Sequence, residues 1–146
     1  MSRIFFSTDV HGSDLIFRKF LNAGKFYRTD VIILGGDLTG KIIVPIVEQS
    51  AGDYKAFLPE GPVVKSKGEI CEVEKKIKNA GFYFYYASTK EMEELKADQK
   101  KLDALFSQLI QERMREWVKL AEDNLRPTGI RCILMPGNDD HFEVDK

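Results

Sequence analysis

The chain has 146 residues, the length of one ordinary domain, and sets 22 Lys and Arg against 23 Asp and Glu for a formal charge of -1. That balance supplies no global field for drawing in nucleic acid or an anionic membrane, which excludes a general nucleic-acid binder. Hydrophobic residues at 43% and charged residues at 31% are the proportions of a globular fold and exclude a disordered chain. Cys71 and Cys132 form no Cys-x-x-Cys pair, so neither a disulfide framework nor a zinc ribbon is expected, and a reducing, cytoplasmic setting fits. The opening apolar stretch is too short for a signal peptide, and no apolar run reaches membrane-spanning length.

In chain order, Ile4 to Ser7 is a short β-prone run ending at Asp9, and Ser13 is placed to cap a helix whose apolar positions are Leu15, Ile16, Phe20 and Ala23, with Gly24 as its stop. Val31-Ile32-Ile33-Leu34 reads as a strand covered on both faces, as in a parallel sheet, and ends in Gly35-Gly36-Asp37. Residues 41 to 65 carry β-branched runs broken by Pro45, Gly52, Pro59, Gly61 and Pro62, the pattern of short strands or a hairpin. Ser66 and Glu69 have capping-box spacing before Ile70, Val73, Ile77 and Ala80, so a helix of about four turns is expected up to Gly81. The aromatic run Phe82 to Tyr86 reads as an extended segment packed under neighbouring helices, since basic neighbours for a base-stacking platform are absent. Ser88 and Glu91 open a second capping box and the longest pattern, from Met92 through Leu105, Leu109, Met114, Trp117 and Ala121 to Leu125, stopped by Pro127 and Gly129. A helix of that length, on the order of 50 Å, suggests a projecting helix or a helical pair whose apolar stripe packs on this chain or on a partner. The final strand is Ile130 to Met135, followed by Pro136-Gly137-Asn138-Asp139-Asp140-His141.

Three apolar strands thus end alike, at Asp9-x-His11, at Gly36-Asp37-x-x-Gly40 and at Gly137-Asn138-Asp139-Asp140. In a parallel sheet the carboxyl ends of the strands share one edge, where open α/β folds bind ligands, so these tips can converge. Carboxylates gathered beside an imidazole and an amide oxygen repel one another unless a cation neutralises them, and a mixed oxygen and nitrogen set suits Mn, Fe or Zn. Gly35, Gly36 and Gly137 allow the close backbone approaches such a site needs. In this order, each directly after an apolar strand, the motifs resemble the calcineurin-like metallophosphoesterase family, most specifically over residues 4 to 40 and 130 to 140.

The resemblance implies a β-sandwich flanked by helices, of which this chain looks like the amino-terminal half, with residues 41-129 as an inserted hairpin and helical segment within a single domain spanning 1-146. It implies that Asp9 and His11 bind a first metal, Asp37 bridges two, and Asn138 binds the second. The implied reaction is hydrolysis of a phosphate mono- or diester by a metal-bridging hydroxide. Family members commonly have His directly after the Asn. Here Asp139 stands there, so protonation of the leaving group would fall to Asp139, Asp140 or His141, of which an Asp near metals should stay ionised and donate poorly. The family also draws further His ligands from its second half, whereas His11 and His141 are the two histidines of this chain. The second metal would then keep Asp37 and Asn138 alone, giving one weak site unless another polypeptide contributes. A sheet lacking its partner sheet leaves an apolar face to be covered, so a homo-oligomer, or association with a complementing carboxy-terminal half, is expected.

Rival readings fare less well. Gly35 to Lys41 nearly spells a phosphate-binding loop, but Ile42 stands where a hydroxyl is needed and Ile42 to Pro45 cannot begin the required helix. A Ser-His-Asp hydrolase lacks its Gly-x-Ser-x-Gly elbow. A catalytically impaired fragment, or an interaction protein that uses the long helix for association, is the alternative to an enzyme.

Overall fold

The computed structural model describes residues 1-49, 52-138 and 140 as a mixed α/β chain with two sheets and four α-helices. The first sheet is parallel. Its strands β1 (Ile4–Ser7), β2 (Val31–Gly35) and β7 (Arg131–Met135) lie in the order β1-β2-β7, with Phe5 beside Ile32 and Ile32 beside Cys132. The central strand is the continuous apolar run, but the expected cover on both faces is met on one only, since Ile33 is half-buried between exposed Phe6 and Ile133. The second sheet is built from the middle of the chain, in the order β5-β4-β3-β6 from β3 (Ile43–Glu48), β4 (Asp53–Leu58), β5 (Gly61–Ser66) and β6 (Tyr83–Ala87). β3 runs antiparallel to β4 and parallel to β6. Pro45 fits inside β3 because the pairing with β4 begins only at Ile46, so its missing N–H interrupts no rung on that side.

Helix α1 (Asp14–Phe26) begins where Ser13 accepts a hydrogen bond from the Ile16 N–H at 3.3 Å. It does not stop at Gly24. That residue is inside the helix, where a methyl group would sit 2.8 Å from Ile32 Cγ2, so its small size serves helix-to-sheet packing. Helix α2 (Ile70–Asn79) begins later than the capping-box spacing suggests. Ser66 Oγ donates to Glu69 Oε2 at 2.6 Å, but the intervening residues make a turn and the helix starts after Glu69. At Ser88 the same spacing does form a complete capping box and opens α3 (Thr89–Ala97). The long helix is a helical pair, because the extended backbone of Asp98 ends α3 while its carboxylate accepts the N–H groups of Lys100 and Lys101 and starts α4 (Gln99–Leu125). A 3-10 turn (Arg126–Thr128) and left-handed Gly129 close it.

Where the length suggested one ordinary domain, the apolar side chains form two clusters. Val10, Phe17, Phe20, Leu21, Ile32, Leu34 and Leu38 pack with Trp117, Ala121 and Leu125 of α4, while Val44, Ile46, Ala56 and Leu58 pack under Ile70, Val73 and Ile77 of α2. The Trp117 indole lies flat on Phe17, centroids 4.2 Å apart, which fixes α4 against α1. The opposite face of the first sheet is bare. Ile4 is 60% exposed, Phe6 59%, Ile133 42% and Met135 47%. No helix among the described residues is long and apolar enough to cross a membrane.

The two thiols differ in environment. Cys71 is exposed, whereas Cys132 lies against the first core and burial pushes its thiol up to about 11. At pH 8, a thiol-specific disulfide reagent is expected to titrate one thiol rapidly and the second at least tenfold more slowly, with Cys71→Ser removing the fast phase.

Candidate metal centre

The polar tips of β1 and β2 are held together by an extension of the strand pairing. Beyond the last rung of the sheet, Asp9 N donates to Gly36 O at 3.3 Å, His11 N to Asp37 O at 2.9 Å and Gly12 N to Leu38 O at 2.8 Å. This ladder brings the side chains of Asp9, His11 and Asp37 together, with one potential ligand atom of each within 4.8 Å of the others. Asp9 Oδ1 and His11 Nε2 are 3.9 Å apart. Ligands at roughly 2.0–2.2 Å from one ion lie about 3–4.4 Å from each other, so the spacing of these three atoms is near what a shared ion would need. Two carboxylates and an imidazole are a donor set that could hold a metal ion, though exposed acidic groups also gather without one. The Asp9 and His11 side chains are about half exposed, so solvent can deliver one.

The backbone at these positions is unusual in a way no side-chain motif records. Asp9 (φ 58°), His11 (φ 45°) and Asp37 (φ 46°) are left-handed, and among the described non-glycine residues Arg28 is the other with positive φ. Left-handed backbone costs a residue with a Cβ roughly 1–2 kcal/mol, least for Asp and Asn. Such strain is retained where surrounding structure holds it, and it gathers at functional sites.

The tip of β7 joins the same junction. Gly36 N donates to Met135 O at 2.7 Å, and Gly137 lies so near Asp37 that a methyl group on it would be 2.6 Å from the Asp37 amide nitrogen and 2.8 Å from Asp37 Oδ1. Asn138, the next residue, is exposed at this edge. Asp140 has a different place from the one its neighbours in sequence suggest. Its carboxylate accepts from Leu38 N (3.0 Å), Thr39 N (2.8 Å), Thr39 Oγ1 (2.8 Å) and Gly137 N (2.7 Å). Partial burial raises its proton affinity, but these four donors outweigh that and hold the carboxyl below its ordinary range. Asp140 is thus a strut between the β2 and β7 tips. Asp139 and His141 lie outside the described residues.

Two features of the site had little signal in the sequence. Tyr83 Oη accepts the Gly40 N–H at 3.1 Å, and Arg113, 3% exposed, reaches the backbone of the His11 loop. Arg113 sits on the apolar stripe of α4 between Ile110 and Trp117, and its place in that spacing was the available clue. The residues from Gly35 to Gly40 lead into strand β3, so no helix N-terminus faces a phosphate there.

No protein-family model, characterised protein or solved structure matches this chain.

Because His11 is left-handed and its side chain half exposed, His11→Gly is expected to melt a few degrees above His11→Ala, reflecting about 1 kcal/mol of backbone relief. Paired thermal melts without metal check this, and equal midpoints would remove backbone strain as a feature of the site.

Proposed function

We propose that this protein is a metal-dependent phosphoesterase of the calcineurin-like type, hydrolysing a phosphate mono- or diester. The observation that carries the reading is the convergence of Asp9, His11 and Asp37 from two neighbouring strand ends, each on a left-handed backbone. Asp9, His11 and Asp37 would hold a first divalent ion, with Asp37 and Asn138 directed to a second. When bound, such ions supply a nucleophilic water at neutral pH and neutralise phosphoryl oxygens. The chain's own residues set the rest. Asp37 is held between the β1 and β7 tips by its backbone ladder and by Gly137, and Asp140 keeps the Leu38-Thr39 backbone turned toward Gly137. Asp140 acts as a positioning residue in this reading, since its oxygens are already engaged by four donors, and leaving-group protonation falls to Asp139, His141 or solvent.

With Mn²⁺ present, the chain is expected to release nitrophenol from bis(p-nitrophenyl) phosphate, and Asp37→Ala to lower the rate at least about 100-fold, beyond the 10–100-fold typical of losing a group behind the ligands. Equal rates in both proteins would overturn the reading.

A second reading, an interaction role with or without catalysis, is favoured by the bare face of the first sheet. The buried stripe of α4 is used within the chain, at Ile110, Arg113, Trp117, Ala121 and Leu125, while Ile4, Phe6, Ile133 and Met135 form an exposed apolar sheet face open to association. Light scattering on a size-exclusion column is expected to give a multiple of 16.7 kDa that Phe6→Glu reduces to the monomer. A monomer at all concentrations would remove self-association.

A further inference from the structure

The inserted segment does more than decorate the first sheet. Its α2–β6 turn and α4 meet the two site loops at several points, each of them a backbone contact. Gly12, Gly40 and Gly81 touch through their main chains. A methyl group on Gly40 would fall 1.8 Å from Gly81 O, one on Gly81 would fall 2.1 Å from His11 O, and one on Gly12 would fall 2.7 Å from Gly40 N. Around this contact, Arg113 Nη1 donates to Gly12 O at 2.5 Å and Nη2 to Phe82 O at 3.2 Å, so one guanidinium bridges the first site loop to the inserted segment. Its charge is met by Asp14 Oδ1 at 3.3 Å and its plane lies 5.2 Å from the Tyr83 ring centroid. Asp14 is fixed in turn by the Trp117 Nε1–H at 2.6 Å. Ser13 Oγ donates to Asn79 O at 2.6 Å, and the Tyr83 hydroxyl accepts from Gly40 N on the second loop.

We infer that the inserted segment is the positioning frame of the metal centre, with Arg113 holding the loop that carries His11 and Tyr83 holding the loop that follows Asp37. Both act through the main chain, and neither is within the ligand cluster. The arrangement has a physical rationale. Left-handed backbone at His11 and Asp37 relaxes unless it is over-determined from outside, and a planar donor pair spanning two carbonyls is a stiff way to do so. The inference rests on the metal reading for its purpose, but the clamp itself can be measured without metal.

The experiment is amide hydrogen exchange on metal-free protein, followed by Mn²⁺ titration read by the electron paramagnetic signal of the free ion. Arg113→Lys keeps the charge but cannot span both carbonyls, and Tyr83→Phe deletes one acceptor. Glu116→Ala serves as a control, because it breaks the pair that Lys78 of α2 makes with α4 and leaves the site loops alone. Arg113→Lys is expected to speed exchange at His11 and Gly12 at least tenfold, and Tyr83→Phe to do so at Gly40, with β4 and β5 unchanged. Both variants should weaken Mn²⁺ binding about tenfold or more, as loss of groups supporting ligands does, while Glu116→Ala does neither. Loop exchange equal to that of the native chain, or acceleration uniform across both sheets, would overturn the inference. Native-like loop protection in the variants with weakened Mn²⁺ binding would also overturn it, since the effect would not pass through the backbone. A native chain that binds no Mn²⁺ defeats the metal reading, and the exchange result then decides the clamp alone.

Discussion

The fold turns on a place where three segments of main chain touch without side chains between them. Gly12 follows the first strand tip, Gly40 follows the second, and Gly81 closes α2, and their backbones approach more closely than any Cβ permits. Gly12 and Gly81 also take positive φ, so two of the three positions exclude other residues on conformation as well as on space. With that contact made, the ladder between the β1 and β2 tips can continue beyond the sheet, and the side chains of Asp9, His11 and Asp37 are turned to one side. The two hydrophobic clusters, one on each sheet, are thereby joined at a polar and backbone-rich seam as well as through helix packing.

What could be read in the sequence was what local chemistry decides. Ser13 and the Ser88-Glu91 pair announce helix starts because an N-cap is satisfied within four residues, and the continuous apolar run Val31 to Leu34 announces a central strand, although its sheet is covered on one face and exposed on the other. The three strand-end motifs could be set side by side because a parallel sheet puts its strand ends on one edge. Where the outcome depends on distant partners, the local pattern misleads. Gly24 resembles a stop but is used for its closeness to Ile32, and Ser66 with Glu69 has the spacing of a cap without the helix. The break at Asp98 did leave a trace. The apolar pattern passes from Leu95 to Leu102 with an acidic residue where the helical repeat asks for an apolar one.

Arg113 and Asp140 show the same limit for the site. An arginine on a helix is read as solvent-facing, and this one is buried only because Asp14, two carbonyls and the Tyr83 ring, from the far side of the chain, satisfy it together. Asp140 lies among residues that read as acid groups, yet its work is done 101 and 102 positions away, at Thr39 and Leu38. A carboxylate that accepts four hydrogen bonds differs from a proton donor through its surroundings, and those exist only once the strands have met.

On the proposed metal reading, the geometry also bears on what would limit binding at the cluster. Asp9 and His11 are half exposed, so water and counterions screen them, and the gathered ligands are not in acute need of a cation to be stable. Electrostatic demand would therefore be a weak source of affinity for a cation here. On the proposed metal reading the stronger source would be preorganisation, because the left-handed backbone at Asp9, His11 and Asp37 is set by the fold itself and would not have to be imposed by an ion. Affinity on that reading would follow the stiffness of the loops more than the number of charges, and the loops are braced by Arg113 and Tyr83, which lie outside the motifs, as well as by Asp140 and the meeting glycines. A metal site of this kind would be more sensitive to loosening its frame than to adding one more distant carboxylate.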